Sequence, residues 1–273
     1  MSALTLASAL EDATALETAE AHHARTAGEL TGRVALLTTA AGKDPEAAER
    51  LRRGLVAFCE RGVLPHTAAE EAVLYPAARV LPDARLLIVS LVAEHRCLAA
   101  LVDSLRTAPS AADAVADARA LQVLFEEHTA KETTLVLPLL ATAPDVSLAG
   151  LLAHLHDRLT DPPTTDTAGT TDTRKDTTMT HEETGGCGGA CACGGADEEA
   201  VPELDVRGVP HALRHAAVFG ALDAVPGGAA MVLVAPHDPL PLLAQIEDRR
   251  PGAFSVEYLE RGPEAWRLRL SHV

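Results

Sequence analysis

Apolar side chains recur at helical spacing throughout the first 160 residues. In the first segment one stripe repeats every seven residues, which corresponds to two turns of an α-helix. It consists of Leu16, Leu30 and Leu37, with His23 in the same register. This stripe predicts a long first helix that ends near Gly42, because glycine favours the residue just after a helix. Asp44 followed by Pro45 then predicts the start of a second helix.

Three more segments share this periodicity. The second helix should continue to about Val80, with a kink or break at Pro65, because proline lacks the N–H that a helix interior needs. The third should begin at Pro82 and end near 108–109, and Ser110 should cap the start of the fourth. A shorter helix follows over about 146–159. Four long helices with short connections predict an up-down four-helix bundle.

The pattern changes after residue 160. Residues 160–200 are rich in Thr, Asp and Gly and lack hydrophobic periodicity, which is typical of a flexible linker. From about residue 201, short apolar runs alternate with helical ones, and a hairpin loop at 261–263 joins the last two runs. The order β-α-β-α-β-β predicts an α+β two-layer sandwich. We therefore predict domains at 1–159 and 201–273, joined by the linker.

Polar residues occupy several core-facing positions of the predicted bundle. The segment His-Thr-Ala-x-Glu occurs twice and places His66 with Glu70 and His128 with Glu132 one above the other on a helix face. A lone inward histidine is more often a hydrogen-bonded core residue than a ligand. One histidine per helix together with two glutamates is different, because burying that much polarity is costly unless it binds a metal. The predicted ligands are His23, His66, Glu70, His95, His128 and Glu132.

The residue types of this set favour iron. Imidazole suits iron, and inward carboxylates from facing helices can bridge two ions. Six protein ligands leave open positions where a small diatomic molecule or a peroxide could bind. We expect Glu71 and Glu127 to contact the ligands or to replace one of them. His22 is out of phase with the stripe of its helix, so we expect it to face outward.

Residues 12–142 resemble a bacterial hemerythrin-like (HHE cation-binding) domain. The resemblance is carried by His23, by the His66–Glu71 segment that leads into Leu74-Tyr75-Pro76, by Glu94-His95, and by the Glu127–Glu132 segment that leads into Leu137-Pro138. It implies two iron ions in a non-haem di-iron centre that reacts with oxygen, nitric oxide or peroxide. One histidine per helix is closer to the iron–sulfur-cluster repair type than to oxygen carriers, which have further histidines on the third helix. Here residues 96–106 supply none, so the resemblance points away from oxygen storage.

The cysteines suggest a second candidate site. Cys187, Cys191 and Cys193 lie in a glycine-rich run and could bind a metal or take part in redox chemistry, with His181 as a fourth ligand. The alternative is a tether whose thiols are incidental. Cys59 and Cys97 should instead pack as small apolar residues within helices.

The C-terminal region resembles an uncharacterised domain family that often follows hemerythrin-like domains and is distantly similar to the TusA/SirA sulfur carriers. Those carriers have a cysteine after the first strand, whereas the corresponding turn here, 208–211, has no thiol. That absence argues against sulfur transfer by this domain alone. Its candidate site residues are His215, His237 and Asp238, because the connection between a strand and a helix often carries function. The alternative for His237 and Asp238 is a helix cap.

Composition narrows the function classes. A net charge of −16 argues against nucleic acid and anionic membranes as partners. The N-terminus has no basic region, no apolar run approaches membrane-spanning length, and an odd count of five cysteines does not suit a secreted disulfide framework, so we expect a cytoplasmic protein.

The favoured hypothesis is a di-iron protein that senses or handles oxygen, nitric oxide or reactive oxygen species. A second hypothesis is an iron-donating protein that repairs iron–sulfur clusters, or a di-iron peroxidase, with the cysteines as a relay. A redox or iron–sulfur protein would then be a partner. The third is a metal-storing or structural bundle without turnover.

Overall fold

The computed structural model describes residues 9–160 and 201–273. The first range is helical, with α1 (Leu10–Ala41), α2 (Pro45–Phe58), α3 (Leu64–Arg79), α4 (Arg85–Thr107), α5 (Ala111–Lys131), α6 (Leu137–Thr142) and α7 (Leu148–Thr160). A π-helical turn, Cys59–Val63, joins α2 to α3, and a second one, Glu132–Val136, joins α5 to α6. Four long helical segments result, and α1 packs against both α2 and α5 while α4 packs against α3 and α5. The predicted four-helix bundle is confirmed.

The predicted helix ends follow the expected capping chemistry. Gly42 follows α1, and the Asp44 carboxylate accepts hydrogen bonds from the N–H groups of Glu46 and Ala47, both at 3.0 Å, at the start of α2. Ser110 accepts a hydrogen bond from the N–H of Asp113 at 3.2 Å at the start of α5.

The irregularity predicted at Pro65 takes the form of a widened turn just before it. The N–H of Leu64 bonds to the carbonyl oxygen of Cys59, five residues back, so the helix continues past the proline. The N–H of Leu137 bonds in the same way to the carbonyl of Glu132, directly before Pro138. Both long segments therefore remain helical through a proline.

The second range forms the α+β domain. Its elements are β1 (Glu203–Asp205), α8 (Arg214–Ala224), β2 (Ala230–Ala235), α9 (Leu240–Arg249), β3 (Phe254–Arg261) and β4 (Trp266–His272). The sheet order is β1-β2-β4-β3, with β1 and β2 parallel and the other pairs antiparallel. Leu204 pairs with Leu233, which in turn pairs with Leu268 on β4. The predicted order of strands and helices is confirmed.

Helix α8 packs against α1 with the two backbones in contact. A Cβ atom added at Gly32 of α1 would overlap the carbonyl oxygen of Ala217, and one added at Gly220 of α8 would overlap the backbone of Glu29. The Thr39 hydroxyl donates a hydrogen bond to the carbonyl of Glu203 at 2.9 Å. Buried side chains of the bundle and of the α+β domain consequently form one hydrophobic cluster. The hydrophobic pattern did not predict this shared core.

A second apolar cluster lies at the other end of the bundle and includes Leu16, Leu91, Leu140 and residues of α7. On α1 and α4 the two clusters are separated by His23 and His95. None of the helices in the two described ranges is both long enough and apolar enough to cross a bilayer.

Candidate metal centre

The six predicted ligands meet in the middle of the bundle, between the two apolar clusters. Five of them are buried, with 1% of Glu70 and of His128, 2% of Glu132, 4% of His95 and 7% of His23 exposed. The side chain of His66 is 12% exposed. The spacing of polar residues on four helical stripes therefore located a real cluster.

The ligand atoms form two groups that share a carboxylate. One group contains Glu70, His95, His128 and Glu132, the other contains His23, His66 and Glu70, and within each group the atoms lie within 4.8 Å of one another. In the first group the Nε2 atoms of His95 and His128 are 2.9 Å apart. First-row transition metals bind to closely spaced imidazole nitrogens and carboxylate oxygens such as these.

Glu70 reaches both groups with different oxygens. Its Oε1 lies 2.8 Å from His66 Nε2 and 3.7 Å from His23 Nε2. Its Oε2 lies 3.5 Å from His95 Nε2. The carboxylate therefore spans the distance between the two pairs of imidazoles.

Glu132 lies between the same pairs from the facing helix. Its Oε2 is 3.7 Å from His23 Nε2 and 3.6 Å from His128 Nε2. Both carboxylates therefore lie between imidazoles of the two groups.

Several atoms of the cluster lack hydrogen-bond partners among the described residues. Both oxygens of Glu70, Oε2 of Glu132 and both ring nitrogens of His66 are buried in this way. His66 Nε2 is close to Glu70, but the pair does not have hydrogen-bond geometry. Each such atom costs roughly 1–3 kcal/mol when nothing satisfies it. Cations bound in the cluster would satisfy the three carboxylate oxygens and one of the two His66 nitrogens, so the residues present fit a metal.

In three of the histidines, Nδ1 contacts a side chain that is not one of the six predicted ligands. His95 Nδ1 lies 2.8 Å from Glu71 Oε1, and His128 Nδ1 lies 3.1 Å from Glu94 Oε2. His23 Nδ1 lies 2.9 Å from the hydroxyl of Thr133. Because Nδ1 is engaged, Nε2 faces the centre, which is how outer contacts orient metal-binding imidazoles.

These contacts test the expectations for the neighbouring glutamates. Glu71 does contact a predicted ligand. The expectation for Glu127 is wrong, because its side chain is exposed and Glu94 holds His128 instead. Glu94 also accepts a bond from Lys131 Nζ at 2.5 Å.

Tyr75 belongs to the site although the sequence analysis did not place it there. Its hydroxyl donates to Glu132 Oε1 at 2.7 Å, and its ring stacks on His95 with centroids 5.3 Å apart. The signal was present in the repeat, where Tyr75 occupies the position that Leu137 has in the second copy. A polar ring at an otherwise apolar position of a buried stripe indicates a hydrogen-bonding role.

The pKa values of the two central carboxyl groups are shifted in opposite directions. Burial alone would raise the pKa of Glu70, but the charge of His66 and contacts with the neighbouring imidazoles hold that pKa well below its usual range. Burial and the charge of Glu70 raise the pKa of Glu132 well above its usual range. Burial lowers the pKa of His128 to about 4. The metal-free cluster therefore favours the ionised form of Glu70, the protonated form of Glu132 and the neutral form of His128.

His22 does not face outward as expected. It is half-buried, and its ring lies 4.9 Å from that of His66. Burial, with help from the neighbouring His66, lowers the pKa of His22 to about 4. The helical phase of α1 did not reveal this contact, because α7 packs beside α1 and widens its buried face.

The other candidate residues lie partly outside the described ranges. Cys187, Cys191, Cys193 and His181 lie outside the described residues. Within the described ranges the metal-competent groups include none of His215, His237 and Asp238.

The three candidates of the α+β domain have ordinary surroundings. His215 and His237 are exposed, and Asp238 accepts a hydrogen bond from the hydroxyl of Tyr258 at 2.9 Å. Cys59 is buried as expected, but Cys97 is exposed, so the expectation that it packs in the core is wrong.

Two family models match the chain. The model of the hemerythrin HHE cation-binding domain matches residues 14–140, and that of an uncharacterized conserved protein (DUF2249) matches residues 203–272. No curated protein and no solved structure matches it. The first match covers the bundle and all six clustered residues, and the second covers the α+β domain. The chain therefore carries a hemerythrin HHE cation-binding domain followed by a C-terminal DUF2249 domain.

Proposed function

We propose that this chain is a non-haem di-iron protein that senses or handles oxygen, nitric oxide or reactive oxygen species. The observation that carries the proposal is the position of Glu70 and Glu132, each of which lies between imidazoles of both groups. His23 and His66 would hold one iron, His95 and His128 the other, and the two carboxylates would bridge them. The cation-binding family of the bundle supports the same proposal.

The iron pair would supply redox chemistry and open coordination positions, since six protein ligands are fewer than two octahedral ions need. The chain's own residues set the conditions around it. Tyr75 holds Glu132 through its hydroxyl, and Glu71 and Glu94 fix the rings of His95 and His128. The two carboxylates are buried between the apolar clusters on both sides.

The α+β domain would be coupled to this centre through α1. Gly28 touches the α8 region five positions after His23 on the same helix. A shift of α1 that accompanies ligand binding would therefore be felt at the α1–α8 contact. We propose this coupling together with the distant similarity of the α+β domain to the TusA/SirA sulfur carriers.

Iron reconstitution tests the proposal. Metal-free protein loaded anaerobically with Fe²⁺ and then oxidised should hold about two irons per chain and show the absorption of an oxo-bridged pair. His66→Ala and Glu70→Gln should lose iron and the spectrum while far-UV circular dichroism stays unchanged. His154→Ala is the matched control, because His154 is exposed on α7 and belongs to neither ligand group.

The outcomes separate the hypotheses. Folded wild-type protein that takes up no iron would refute the metal centre, and a single iron that survives Glu70→Gln would refute the bridged pair. A spectral change on adding oxygen or nitric oxide without turnover supports sensing. Sustained peroxide consumption supports a peroxidase, and restored activity of a damaged iron–sulfur enzyme supports iron donation.

A further inference from the structure

A cavity of about 360 Å³ lies beside the metal cluster, between α1, α3 and α7. Five leucine side chains and four histidines are among its lining residues, and it reaches the buried carboxylate of Glu70. Helix α7 supplies Leu152, Leu155 and Leu159 to one wall. The cavity therefore joins an apolar space to the polar centre of the bundle.

The volume exceeds what a diatomic molecule needs. At roughly 30 Å³ for each water-sized group, the cavity holds about a dozen non-hydrogen atoms. It lies in the range of sites that bind small organic molecules, which are mostly apolar with a few placed polar groups. The size indicates an organic ligand in addition to a gas or peroxide.

Helix α7 makes the cavity a feature of this chain. It starts after residue 140, where the match to the bundle family ends. Asp12 of α1 accepts a hydrogen bond from the N–H of Ala149 at 2.8 Å, and Leu148 and Leu155 are buried in the apolar cluster of this end of the bundle. The wall is therefore packed in place.

The solvent side of the cavity carries nitrogen donors. It is lined by His22, Arg25 and His156, and the Arg25 guanidinium donates to His22 Nδ1 at 3.3 Å. Arg25 is exposed, and none of the ion pairs found among the described residues includes it. A guanidinium without a carboxylate partner is notable in a chain of net charge −16, and it is complementary to an anionic group.

We propose that this cavity binds a medium-chain carboxylate of eight to ten carbons. The acyl chain lies against the leucine side chains, and the carboxylate is held at Arg25 beside His22 and His156. The inference rests on the proposed metal centre in one respect only, namely that the cavity reaches two of the proposed iron ligands, His66 and Glu70. Binding of the carboxylate itself requires no iron.

Calorimetric titration of decanoate into metal-free protein tests the inference. We expect a Kd below about 1 mM, the affinity of an ordinary small ligand of this size. Each removal of two methylenes, from decanoate to octanoate to hexanoate, should weaken binding roughly tenfold, as transfer of apolar surface requires. Methyl decanoate, which lacks the charge, should bind more weakly than decanoate.

Two variants address the walls and the charge separately. Leu152→Trp fills the cavity from a half-buried position and should weaken decanoate binding at least tenfold. Arg25→Gln should weaken decanoate but not methyl decanoate. Leu86→Trp is the control, since Leu86 is 83% exposed and lies away from the cavity.

Three results would overturn the inference: no heat of binding to wild-type protein, no dependence on chain length, or equal binding by the wild type, Leu152→Trp and Arg25→Gln. The titration is repeated after iron loading. Decanoate binding by protein that fails to take up iron would remove the proposed metal centre and leave this inference standing. Iron uptake without decanoate binding would refute this inference and leave the proposed metal centre standing.

Discussion

Replacing Gly32 by alanine tests whether the bundle and the α+β domain share one core. Gly32 lies where α1 crosses α8, and the added Cβ would overlap the carbonyl oxygen of Ala217. A backbone atom cannot rotate away as a side chain could, so the two helices must separate. Separation would loosen the hydrophobic cluster that contains side chains of both domains.

The magnitude follows from two opposing effects. Overpacking a well-packed contact costs about 1–3 kcal/mol. Alanine in place of glycine within a helix returns about 0.5–1 kcal/mol. The midpoints of the two ranges give a net destabilisation of about 1 kcal/mol, which lowers the midpoint of thermal unfolding by roughly 2–4 °C in a protein of this size.

Two probes follow the unfolding of the two domains. Far-UV circular dichroism reports mainly the long helices of the bundle, and Trp266, the single tryptophan, reports β4 of the α+β domain. Both midpoints should coincide in the wild type and fall together in Gly32→Ala. Gly54→Ala is the control, because Gly54 is also within a helix but nothing lies within 4 Å of the added Cβ. It should raise stability by about 0.5–1 kcal/mol.

The reasoning fails if Gly32→Ala is as stable as Gly54→Ala. It also fails if the fluorescence and circular dichroism midpoints of the wild type differ, because a shared core requires the two domains to unfold together.

Three further predictions concern single side chains. Tyr75→Phe leaves Glu132 Oε1 without its donor, so the metal-free protein should lose about 1–3 kcal/mol in denaturant unfolding; an unchanged midpoint would show that the hydroxyl is not needed. Burial and the charge of Asp223 raise the pKa of Glu29 in the folded protein. The stability that Glu29 contributes is therefore complete at pH values below its pKa in the unfolded chain. It is lost as the pH rises through its pKa in the folded protein. Glu29→Gln should therefore raise the free energy of unfolding at pH 7 by less than about 1 kcal/mol and leave it unchanged at low pH, and a loss at pH 7 would contradict that sign. Asp12→Ala removes the acceptor for the Ala149 N–H and should cost about 1 kcal/mol of stability. Amide hydrogen exchange should accelerate in α7 but not in α4. Unchanged exchange would show that the leucines of α7 alone hold it in place.

The helices and the buried His/Glu residues were predictable because both depend on local periodicity. His23 shares its phase with Leu16 and Leu30, so any fold that buries that stripe also buries the imidazole. The His-x-x-x-Glu spacing fixed a carboxylate beside an imidazole on one face. That the four stripes meet at one depth followed from the similar positions of the histidines along their helices.

The remaining features depend on how elements pack. Glu94, rather than Glu127, reaches His128 because α4 and α5 lie side by side, and a single helix does not specify that neighbour. Likewise, Gly28 and Gly32 are spaced for a close helix crossing, but α8, which completes the contact, follows almost two hundred residues later. Glycines inside a helical pattern were the available signal.

The two π-helical turns explain a phase shift in the apolar stripes. Five turns of an α-helix take about 18 residues, yet Leu51 and Glu70 are 19 apart, as are Ala118 and Leu137, and all four are buried. In a regular helix that extra residue would rotate Glu70 by about 100° away from the face of Leu51. Each π turn absorbs one residue, so the two halves of each long helix stay on the same face. The widened turn before His66 and Glu70 is thus a one-residue insertion that turns the half of the helix with the His/Glu cluster toward the core.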